Sequence, residues 1–119
     1  MALRKFTDFG AGSRSDVTLR VNQGIFISNS MLHKCKSSDT KAVYLYVDDD
    51  KPLIGIKFLD EIQKDDKECR KVSREKSGVS LNISPILRFY NINKVTEKKT
   101  LPSRMEGELL VVDLSGVKD

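Results

Sequence analysis

Val17-Thr18-Leu19-Arg20-Val21-Asn22-Gln23-Gly24-Ile25-Phe26-Ile27-Ser28 is the stretch that decides the fold. Val17, Leu19 and Val21 alternate with Thr18 and Arg20, the period-two pattern of a strand with one buried face. Asn22-Gln23-Gly24 is turn chemistry, and Ile25-Phe26-Ile27 resumes as a second strand. Ser28 or Ser30 is placed to cap a short helix carrying Met31, Leu32 and Cys35, which the polar run 36–40 ends. Downstream, Val43, Leu45 and Val47 face one way and Tyr44 and Tyr46 the other. Asp48-Asp49-Asp50-Lys51 makes a hairpin tip, and Ile54, Ile56 and Phe58 return. Pro52 cannot donate to a ladder, so it belongs at the turn or on an edge.

The same order recurs about 54 residues later. Arg70-Lys71-Val72-Ser73 precedes a turn at Lys76-Ser77-Gly78, and Val79, Leu81 and Ile83 alternate. Ser84-Pro85 reads as an N-cap with proline at the first helical position, followed by an apolar face of Ile86, Leu87, Phe89 and Tyr90. Residues 94–104 read as a polar, basic loop broken by Pro102, and the near-continuous apolar strand 109–114 closes the copy. A half of roughly 45 residues buries too little apolar surface to stand alone, so two halves sharing a core are expected. The predicted fold is mainly β: a small pseudo-symmetric β-barrel, OB-like or swapped-hairpin, with two short helices. Residues 1–15 are expected to form a flexible basic and aromatic arm. Residues 16–119 are expected to form a single domain with repeat halves 17–59 and 70–114, joined by a polar linker at 60–68.

Composition narrows the function. With 39% hydrophobic residues the chain has the means for a core, and its apolar runs fall well short of the ~18 residues that span a bilayer. The segment 1–6 lacks the apolar stretch of a secretory signal, so a cytoplasmic protein is expected. Cys35 and Cys69 stand 34 positions apart with no second cysteine near either, a spacing with no zinc clamp or CxxC pair. His33 is the single histidine and has no identifiable catalytic partner. Gly10-Ala11-Gly12-Ser13 lacks the strand and helix that frame a phosphate loop. The three aspartates at 48–50 lack the loop length, mid-loop glycine and terminal glutamate of an EF-hand. No enzyme, metal or cofactor is expected.

Charge and aromatics point to a polyanion. Of the net charge of +4, all is accounted for by residues 88–104, which hold Arg88, Lys94, Lys98, Lys99 and Arg104 against Glu97. Such an uneven field steers nucleic acid to one face. Tyr44 and Tyr46, at i and i+2 on a strand face opposite the core, make a stacking platform for bases, with Tyr90 and Phe6 in reserve. The alternative for these rings is a second apolar layer or a subunit interface. The predicted nucleic-acid-binding residues are Arg20, Tyr44, Tyr46, Arg88, Lys94, Lys98, Lys99 and Arg104.

Each copy resembles the AbrB/SpoVT-like swapped-hairpin motif of strand, glycine, apolar strand, short helix and hairpin. The residues are Gly24-Ile25-Phe26-Ile27, Met31-Leu32 and Val43-Tyr44-Leu45-Tyr46-Val47-Asp48-Asp49 in copy one. In copy two they are Ser77-Gly78-Val79-Ser80-Leu81, Ile86-Leu87-Arg88 and Gly107-Glu108-Leu109-Leu110-Val111-Val112. That resemblance implies duplex DNA binding through Arg20, Arg70, Lys71 and Arg74, with both copies in one chain as a departure. In length, composition and β-rich organisation the whole chain also resembles the small single-stranded-DNA-binding proteins of lactococcal-type phages. This second resemblance implies a protein that coats single strands in phage replication or recombination, in the host cytoplasm, as a homo-oligomer. The expected function is therefore non-catalytic, single-stranded-DNA binding. The alternatives are an AbrB-like duplex-binding regulator and a protein-interaction module that inhibits a host factor.

Overall fold

The computed structural model describes residues 17–92 and 95–117. The arm expected over 1–15, with Phe6, lies outside the described residues, as does Lys94. The described residues form ten strands and two six-residue helices. β1 (Val17–Leu19) and β2 (Gly24–Ser28) form the first hairpin, followed by α1 (Asn29–Lys34), β3 (Ala42–Val47) and β4 (Leu53–Leu59). The second half runs β5 (Arg70–Lys71), β6 (Ser73–Glu75), β7 (Gly78–Asn82), α2 (Ser84–Phe89), β8 (Lys99–Leu101), β9 (Ser103–Glu106) and β10 (Leu109–Asp113).

These strands make two antiparallel five-stranded sheets, ordered β6-β7-β2-β1-β8 and β5-β3-β4-β10-β9. Exchanging β1 with β6, β2 with β7, β3 with β9 and β4 with β10 leaves the order of the eight shared strands unchanged. The doubled pattern of the sequence is thus a doubled topology. Each half contributes one hairpin to each sheet, and the halves meet through the central ladders β2·β7 and β4·β10. The helices repeat as well. Both end in a left-handed residue, Lys36 at φ 56° and Asn91 at φ 61°. Ser37 N–H then bonds Leu32 O and Ile92 N–H bonds Leu87 O, each at 2.8 Å, the Schellman closure in both cases.

Two strands turn the corner from sheet to sheet. β5 runs into β6 through Val72 alone, and β8 runs into β9 through Pro102 alone. The expected basic loop at 94–104 is therefore corrected: its second half is paired backbone. Pro102 sits at the corner between two ladders, where a missing N–H costs nothing, and its carbonyl accepts the Asp113 amide at 2.9 Å. Leu101 faces the core from β8.

Ser28 caps α1 as expected, its hydroxyl accepting the Met31 amide at 3.2 Å. Ser84 does not cap α2. Ile83 takes the cap position, and Asn82 Oδ1 instead accepts the Ser84 amide at 2.9 Å. Pro85 lies in the first turn of α2, as the sequence indicates. In the turn between β1 and β2, the left-handed residue is Gln23 at φ 66°, with Asn22 Oδ1 accepting the Gly24 amide at 2.9 Å. Gly78 is needed for closeness: a Cβ there would lie 2.1 Å from Ile27 O and 2.7 Å from Phe26 Cζ.

The core lies between the sheets. Leu19, Ile25, Ile27, Ile54, Ile56, Leu110 and Val112 enter it from the strands, and Leu32 and Leu87 from the helices, all at or near zero exposure. Phe89 does not join them; it is 52% exposed. Among the described residues no helix is long and apolar enough to cross a membrane.

Candidate nucleic-acid interface

The outward face of the β3-containing sheet is set by register. Tyr46 pairs with Gly55, Gly55 with Val111, and Val111 with Arg104, one row across four strands. Paired residues share a face, so Tyr46 and Arg104 project from the same side. Gly55 leaves room between them. A Cβ there would stand 3.3 Å from Tyr46 Cβ and 3.4 Å from Leu109 Cδ1, so the tyrosine and the leucine lie over bare backbone. Two positions back along β3, Tyr44 pairs with Lys57 on the same face. Tyr46 is 46% exposed and Tyr44 half-buried.

Tyr44 is held. Its hydroxyl donates to Asp66 Oδ2, while Asp66 Oδ1 accepts the Glu68 amide at 2.9 Å. The donated hydrogen bond favours the neutral phenol, and the carboxylate opposes a second negative charge. The Tyr44 pKa is accordingly pushed up to about 12. The same bond lowers Asp66, with help from the Glu68 amide.

β5 supplies cations beside this strand. Lys71 pairs with Ala42 and Arg70 with Val43, both exposed. By alternation Lys71 shares the face of the tyrosines, because Ala42 does. From β6, Arg74 Nη2 donates to the Ser38 and Thr40 carbonyls at 2.9 and 3.1 Å, which holds its guanidinium in place. Lys57 Nζ lies 3.6 Å from Glu108.

The cations predicted from 88–104 are spread over several elements. Arg88 is in the last turn of α2 and Lys98 precedes β8, both exposed. Lys99 is on β8 in the other sheet, its Nζ 3.5 Å from Gly116 O. Arg104 is brought to the tyrosine face, where its Nε bonds Glu106 Oε1 at 2.9 Å with both side chains more than half exposed.

Arg20 is engaged elsewhere. Its guanidinium lies 4.4 Å over the Phe26 ring and makes two bonds to Glu75, at 2.8 and 3.0 Å. Glu75 is lowered by the Arg20 hydrogen bonds and by Ser80. Tyr90, expected in reserve for stacking, is instead a buried anchor. Its hydroxyl accepts the Asp48 amide at 2.8 Å and donates toward Leu53 O at 2.6 Å. Asp48, first of the hairpin-tip aspartates, accepts the Asp50 and Lys51 amides, which lowers its pKa.

Sequence reasoning brought Lys57 to no site, although it follows from the hairpin register that opposes it to Tyr44. Comparison with protein-family models, with curated proteins and with solved structures finds no match.

Proposed function

We propose that this protein is a non-catalytic DNA-binding protein that holds single strands on the outward face of the β5-β3-β4-β10-β9 sheet. The observation that carries this reading is the cross-sheet row placing Tyr46 and Arg104 on one face, with Tyr44 and Lys57 in the next row. A half-exposed ring over glycine backbone is a surface on which an unpaired base stacks, worth roughly 1–3 kcal/mol per base. Lys57, Lys71 and Arg104 on that face meet the phosphates.

Unpaired bases suit this face better than duplex. Reading a major groove takes a projecting helix or ribbon, whereas both described helices are six residues long and pack on the core through Leu32 and Leu87. Arg20, a duplex contact under the swapped-hairpin resemblance, is closed in its pair with Glu75. The resemblance to phage single-strand binders supports a role in coating DNA during replication or recombination.

Titration of labelled poly-dT and of a hairpin duplex at two salt concentrations tests this. Poly-dT is expected to bind more tightly, with log K falling against log salt at a slope of roughly −2 for three phosphate contacts. Tyr44→Ala with Tyr46→Ala, confirmed folded by its thermal melt, is expected to weaken poly-dT binding at least tenfold. Equal affinity for duplex, or a double variant that binds poly-dT as the parent does, overturns the assignment.

A further inference from the structure

β3 is covered on one side only in part. β4 pairs with its whole length, from Ala42 to Val47. On the other side β5 pairs with Ala42 and Val43. Among the described residues, 44–47 meets no strand there. Such an edge presents N–H and C=O groups ready for another strand.

The surroundings of this edge are apolar in the middle and charged at the ends. A groove of about 680 Å³ runs beside it, lined by Leu45, Val47, Ile83, Pro85 and Ile86, with Arg70 at one end. Val47 is 44% exposed, and Phe89, three residues beyond Ile86 on α2, is 52% exposed. Three aspartates, 48–50, follow the open stretch, and Asp48 is kept ionised by two backbone amides. At its start stand Lys41, Lys67, Arg70 and Lys71, against Glu68 and the Asp66 carboxylate held by Tyr44, a balance that stays positive.

We propose that the open edge of β3 pairs antiparallel with β3 of a second copy about a two-fold axis. The charges choose this occupant. Antiparallel self-pairing sets the aspartate end of each strand against the basic end of the other, and symmetry makes that contact twice. β5 stops where the partner strand would begin, so the partner fills the gap β5 leaves. Leu45 and Val47 of the two copies then share one apolar wall with Ile83 and Ile86, and the two five-stranded sheets become one of ten strands. The inference stands on the edge and its charges and does not rest on nucleic-acid binding.

Sedimentation equilibrium of the full chain without nucleic acid is the test, with amide hydrogen exchange read at 44–47. A dimer is expected, with exchange at 44–47 slowing as protein concentration rises. Arg70→Asp and Asp49→Arg each weaken dimerisation about tenfold, since each removes two ion pairs per dimer. The double variant restores it. Val47→Lys, a charged residue on the edge, gives a monomer. The proposal is overturned by a monomer at all concentrations, or by a dimer indifferent to both Arg70→Asp and Val47→Lys. Amides at 44–47 already protected in a monomer overturn it too, because the edge is then covered within one copy. Because poly-dT is absent, failure here leaves the single-strand reading to its own titration.

Discussion

Tyr44 shows what one residue owes to its sequence and what to its neighbours. Its outward direction follows from alternation with Val43 and Leu45. Its hydrogen bond to Asp66, 22 residues away, does not. The bond has a pH consequence. A phenol whose folded pKa lies above its unfolded value of 10.0 contributes stability in full below that value. The contribution is lost as pH rises from about 10 through about 12. Tyr44, identified by the ultraviolet difference from Tyr44→Phe, is expected to ionise near pH 12, and Asp66→Asn to bring it down toward 10.0. Ionisation of Tyr44 at 10.0 in the parent removes the Asp66 bond from the description. Arg20 makes the same point about charge: the sequence shows a cation on a strand, and only the fold brings Glu75, 55 residues on, to neutralise it.

At the scale of elements, the Tyr90 hydroxyl ties the end of α2 to the β3–β4 hairpin. Tyr90 caps the Asp48 amide and the Leu53 carbonyl from the end of the helix. Tyr90→Phe keeps the ring in the core and leaves both backbone groups without that partner, a cost of about 1–3 kcal/mol. Denaturant unfolding monitored by circular dichroism measures it; a change within a few tenths of a kcal/mol refutes the anchor. The strands least legible in the sequence have a common cause. β5, β6, β8 and β9 are two to four residues long and mostly polar, with Leu101 and Met105 within them and Val72 between β5 and β6 as apolar signals. β5 and β8 are strands because distant neighbours pair with them, β5 lying against β3 and β8 against β1, while β6 and β9 are closed into hairpins by β7 and β10. Local propensity carries little of that. The Pro102 corner looked like a break because proline ends ladders, and here it stands where one ladder ends and another begins.

For the whole molecule, the doubled pattern is the organising fact. Each half gives a hairpin to each sheet, so neither half owns a complete sheet, and two-stranded hairpins are marginal in water. Fragments 17–59 and 70–114 are each expected to lack a cooperative thermal transition, whereas the full chain shows one. A cooperative melt from either fragment alone would show that the halves do not depend on the ladders β2·β7 and β4·β10.

Alternation, turn residues and the Ser28 cap act over a few positions. The sequence by itself therefore determined the mainly-β class, the main strands, both helices and the order that repeats. Which cation meets which ring was decided by the tertiary structure. Register between strands far apart in the chain set Arg104 on the face of Tyr46, sent Lys99 to the other sheet and closed Arg20 on Glu75. A run of charge along the chain specifies how much charge there is; the ladders specify where it points.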